Sequence, residues 1–119
     1  MYGYELQSLM PQQSDNPVLR LLVRIKERPE MYLGGSESER ADQLRNLEHV
    51  LFGYQLALSD HELSSGPGFL VEFAQYLRER HGCSTSAGPM AAIRDMTDGA
   101  DAAWTRFWEL VDDYAASRQ

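Results

Sequence analysis

The 119-residue chain has 43% apolar residues and a formal net charge of −7. That is enough for one domain with a core of its own, and the charge has the wrong sign for a nucleic-acid or anionic-membrane partner, both of which demand a basic surface. No apolar run approaches membrane-spanning length, the opening Met1-Tyr2-Gly3-Tyr4-Glu5 lacks the basic and apolar regions of a secretory signal, and a lone cysteine, Cys83, excludes an internal disulfide framework; together these predict a cytoplasmic protein.

Residues 1–14 show no periodicity and read as a loose arm, part of which Tyr2, Tyr4, Leu6, Leu9 and Met10 can dock. Residues 15–119 read as a single helical domain. Asp15 or Asn16 can cap a first helix and Pro17 suits its first position. Val18, Leu21, Leu22 and Ile25 then fall on one face, to about Glu27. Pro29 disfavours the helical region for Arg28, so the helix should stop there. Met31, Tyr32 and Leu33 are too few for an element and are expected to plug the core from a connection that leaves sharply at Gly34-Gly35.

Ser36-Glu37-Ser38-Glu39 has the chemistry of a helix start. Ala41, Leu44, Leu47, Leu51, Tyr54 and Leu58 sustain helical spacing beyond it. Val50, Phe52, Leu56 and Ala57 widen that stripe, which predicts a central helix contacted on two sides; Gly53 is expected to admit another helix closely. After the break at Ser64-Ser65-Gly66-Pro67-Gly68, a third helix carries Phe69, Leu70, Phe73, Tyr76 and Leu77 and stops at Gly82. A small-residue loop, Cys83 to Gly88, leads to a short helix from Pro89 with Met90, Ile93 and Met96. Thr97 or Asp98 is expected to cap the last helix, whose stripe is Trp104, Phe107, Trp108, Val111 and Tyr114. No stretch alternates with period two. The predicted fold is an all-α bundle of four to five helices, with the second and the C-terminal helix at its centre.

Little in the chain points to chemistry. His49, His61 and His81 are dispersed, and no two lie four apart as a helical zinc site requires, so no metal and no cofactor is expected. A small enzyme using His81 and Cys83 is an alternative, but a nucleophilic thiol needs a base and an oxyanion site, and closeness in sequence supplies neither. No nucleophile elbow, Walker loop or dinucleotide fingerprint occurs. The expectation is a non-catalytic binding protein. Its candidate partner-binding residues are Glu109, Asp112 and Asp113 on the polar side of the last helix, with Trp104 or Trp108 exposed beside them as an anchor. The surplus of aromatics also fits a homo-oligomeric helical scaffold.

The segment Arg28-Pro29-Glu30-Met31-Tyr32-Leu33-Gly34 is similar to the R-P-G-M-Y-I-G segment of the type II topoisomerase B-subunit ATPases. That family's magnesium-binding asparagine has no counterpart in Leu47 to Leu58, and its D-x-G-x-G loop is missing, so an ATPase is excluded. More of the chain resembles a family of small uncharacterised bacterial proteins with an R-P-x-M-Y-L-G loop, an L-x-x-x-x-x-G-Y helix (here Leu47 to Tyr54) and a C-terminal aspartate-and-aromatic helix (here Trp104 to Asp112), although Glu30 stands where glycine is usual. Such proteins resemble immunity proteins of bacterial toxin systems. The resemblance implies a partner, a cognate protein toxin neutralised by direct binding.

Overall fold

The computed structural model describes residues 16–63 and 66–118. The expected arm over residues 1–14, and Ser64-Ser65 of the expected break, lie outside them. The described residues form six α-helices and no strand: α1 Pro17–Glu27, α2 Pro29–Leu33, α3 Arg40–Asp60, α4 Phe69–His81, α5 Pro89–Met96 and α6 Ala100–Ser117. The all-α expectation holds, with six helices rather than four or five. The extra one is α2, a single turn where the sequence predicted only a connection.

The side chain of Asn16 starts α1 by accepting from the amides of Val18 at 2.9 Å and Leu19 at 3.2 Å, which satisfies donors that a bare helix end leaves unpaired. Arg28 is the hinge into α2. Its N–H still bonds back to Arg24 and Ile25, but its ψ of 66° leaves the helical region, as a residue before proline should. Of the three apolar residues expected to plug the core, Leu33 is buried and Tyr32 packs partly against the core, while Met31 points outward, 62% exposed. One helical turn cannot direct three consecutive side chains the same way.

A 3-10 turn, Glu37–Glu39, opens α3. The hydroxyl of Ser36 bonds the side chains of Ser38 and Glu39 and does not cap the backbone. α3 touches every other helix, and α6 packs along it, so the two helices expected at the centre are there. Leu44, Leu47 and Leu51 of α3 are buried among Leu22 and Ile25 of α1, Phe73 and Leu77 of α4, Met90 and Ile93 of α5, and Phe107, Leu110 and Val111 of α6. Each such side chain stabilises the fold by roughly 1.5–3 kcal/mol.

α4 ends at Gly82, whose left-handed φ of 66° returns its N–H to Arg78, while the amide of Cys83 reaches back to Leu77; this is the glycine stop that the sequence predicts. The expected cap of α6 is corrected. The Thr97 hydroxyl donates to the carbonyl of Ile93 at 2.7 Å, closing α5, and Gly99 precedes α6 without any side-chain cap. Gly53 is also corrected: nothing lies within 4 Å of where its Cβ would stand, so it admits no close helix.

Candidate partner-binding surface

Two polar side chains of α3 fix the turn around α2. Gln43, with none of its surface exposed, donates from Nε2 to the carbonyl of Gly34 at 2.8 Å and accepts from Arg40 Nη1 at 2.6 Å. One turn on, Asn46 donates from Nδ2 to the carbonyl of Leu33 at 2.8 Å. The Arg28–Gly34 segment is thus bonded to α3 through its last two carbonyls. Gln43 was missed in the sequence. Its signal is positional: it occupies the core stripe one turn before Leu47 and two before Leu51, where a polar residue must be hydrogen-bonded to be tolerated.

On α6 the expected site divides. Trp104 and Trp108 are 9% and 6% exposed, so neither offers an indole to a partner, and the expected exposed anchor is corrected. The guanidinium of Arg40 covers Trp104 at 4.2 Å from the ring centroid, and the Lys26 ammonium stands 6.0 Å from Trp108. The indoles meet edge to face at 5.6 Å, and Phe107 packs on Trp108 at 4.8 Å. The helix turns them inward because its apolar residues share one stripe and that stripe faces α3 and α5.

Asp112 also departs from the expected acidic face. It is partly buried, its Oδ1 and the Trp108 Nε1 both lack a hydrogen-bond partner, and burial pushes its carboxyl above the ordinary range; Lys26 opposes that shift and Asp113 adds to it. Glu109 and Asp113 are exposed as expected. Glu109 accepts from Arg106 Nη1 at 3.0 Å, an exposed pair that contributes about 0–1 kcal/mol.

Exposure also extends the site. Asp101, Thr105, Glu109 and Asp113 recur every fourth residue and all face solvent, a polar stripe along α6. Asp101 and Thr105 also line an open groove with Glu37, Ser38, Arg40 and Trp104. The α6 C-terminus is tied down separately: Tyr114 donates its hydroxyl to Glu72 Oε1 at 3.0 Å, and Arg118 reaches the same carboxylate at 3.4 Å. Burial, then that hydrogen bond, holds the Tyr114 phenol well above its usual range.

The residues of the enzymatic alternative each have a contact of their own. The Cys83 thiol lies 3.8 Å from the backbone carbonyl of His81, to which it donates, while the His81 ring packs against Tyr76 at 5.8 Å. Among the described residues no three His, Cys, Asp or Glu side chains gather in a way that could hold a metal ion, and no helix is long and apolar enough to cross a membrane. No family model, curated protein or solved structure matches the chain.

Proposed function

We propose that the chain is a non-catalytic binding protein that docks a basic protein partner, in the manner of an immunity protein neutralising a cognate bacterial toxin. The observation that carries this reading is the α6 stripe: Asp101, Glu109 and Asp113 present carboxylates every fourth or eighth residue on a helix whose opposite face is locked into the core. A rigid row of one charge sign, in a chain of net charge −7, steers a basic partner and fixes its register. The lone cysteine suits the reducing cytoplasm, where we place the protein.

The test uses the product of the neighbouring gene as bait. Glu109→Lys with Asp113→Lys should leave the circular dichroism and melting of the chain unchanged, since both side chains are exposed. It should weaken capture of the bait and flatten the salt dependence of binding. Unchanged affinity and unchanged salt dependence would exclude the stripe as the contact surface. A bait that never binds the unaltered chain would count against the toxin reading itself. Asp112 is left out of this variant because a lysine in its half-buried place, close to Lys26, would perturb the fold.

A second reading, a homo-oligomeric scaffold, draws on Phe52 and Leu56, which stand outward on α3 at 58% and 49% exposure. A monomer mass in solution would exclude it.

A further inference from the structure

Asp112 lies at the seam between the α6 stripe and α1. Glu109, one turn earlier, and Asp113, its neighbour in the chain, are exposed beside it, while Lys26 stands nearby on α1. Its own surface is divided. Oδ1 is enclosed and has no hydrogen-bond partner among the described residues, yet the residue as a whole is only half-buried. Two donors of the chain are close at hand, and neither bonds to it. The Trp108 indole, four residues earlier on the same helix and 6% exposed, leaves its Nε1–H unpartnered as well. Lys26 makes no ion pair with it: the ion pairs among the described residues are Arg45–Asp42, Arg106–Glu109 and Arg118–Glu72.

An enclosed acceptor with no donor costs stability, and burial disfavours the charged form of Asp112 more than Lys26 favours it. The fold thus carries a partly desolvated carboxylate that its own side chains do not satisfy. Such a group loses less water on meeting a cation than Glu109 or Asp113 does, so more of the attraction survives as affinity. Residues that dominate an interface are of this kind, enclosed on their own side and paired only by the partner. We propose that Asp112 is the dominant contact of the partner surface, its carboxylate receiving an arginine or lysine of the basic protein that Glu109 and Asp113 steer in. This inference rests on the reading of α6 as the docking helix and adds where the affinity resides. The exposed stripe governs approach, and the half-buried residue beside it governs how slowly the partner leaves.

Two measurements on the full chain test it, both with the isosteric Asp112→Asn. In the free chain this variant should raise the melting temperature at neutral pH by a few degrees, because it removes a charge that the fold leaves unpaired. A carboxyl raised by folding contributes stability below its ordinary range and loses it as pH rises, so the gain should vanish on acidification past that range. The charges that act on Asp112 in this titration are Lys26 from α1 and Asp113 from its own helix. With the product of the neighbouring gene as bait, Asp112→Asn should weaken capture severalfold more than Glu109→Gln or Asp113→Asn. Mild acidification should weaken capture by the unaltered chain more than capture by Asp112→Asn. A melting temperature unchanged or lowered at neutral pH would overturn the proposal, since the carboxylate would then be satisfied within the chain. Equal losses for the three variants would overturn it too and leave the stripe reading standing. A bait that never binds the unaltered chain would remove both.

Discussion

The two ends of α3 are finished in opposite ways. At the N-terminal end, Gln43 and Asn46 reach across to the carbonyls of Gly34 and Leu33, and the apolar residues between and beyond them, Leu44 and Leu47, are fully enclosed. At the C-terminal end, the half-buried Gln55 accepts from the Phe69 amide at 3.4 Å, and Phe52, Leu56 and Leu63 remain outside. Directional bonds from a buried amide hold a neighbouring turn in one position, which lets apolar side chains close around it. At the other end the amide is only half-buried, and apolar side chains beside it stay at the surface.

Four substitutions break or sharpen that contrast. The largest effect is expected from Leu51→Ala, between the two ends and 1% exposed. It should cost about 2–5 kcal/mol in urea unfolding, because it leaves a cavity where α1, α4 and α6 meet α3. Next, Gln43→Ala should cost about 1–3 kcal/mol, since the Gly34 carbonyl and the Arg40 guanidinium both lose their partner. The corresponding Gln55→Ala should cost less, about 1 kcal/mol, because that side chain is half-buried where Gln43 is enclosed, and equal costs for the two glutamines would end the distinction between the helix ends. The smallest change is a gain. Gly53 is helical and exposed with open space around it, so Gly53→Ala should stabilise by about 0.5–1 kcal/mol in the same assay. A loss there would mean that something packs against the outer face of α3 at that point.

Local chemistry was legible in the sequence and tertiary chemistry was not. α1 could be read in full because Asn16-Pro17 marks its start and its apolar residues repeat at helical spacing. The stop at Gly82 was equally local. α2 escaped notice because five residues are too short to show a period. Gln43 and Asn46 were missed because their partners, nine and thirteen residues back, leave no mark on the flanking pattern. Phe52 and Leu56 misled for the opposite reason: an apolar residue at helical spacing predicts burial, and spacing cannot say whether another element of the fold arrives to cover it. On α6, the period placed Glu109 and Asp113 on the polar side correctly, yet Asp112, one residue away, sits at the boundary and is partly drawn in. Trp104 and Trp108 belong to the inward stripe, and their size invited an anchor role that their position denies.

The inward tryptophans also make this chain its own optical gauge. Trp104 and Trp108 are the only two indoles in the sequence, and both lie against the interior, one beneath Arg40 and the other beside Lys26. Their emission therefore reports the integrity of the packing between α6 and the helices around it. A ligand that settles on Glu109 and Asp113, away from the groove that Trp104 lines, leaves both rings in the same surroundings, so unfolding shifts the spectrum and docking there does not.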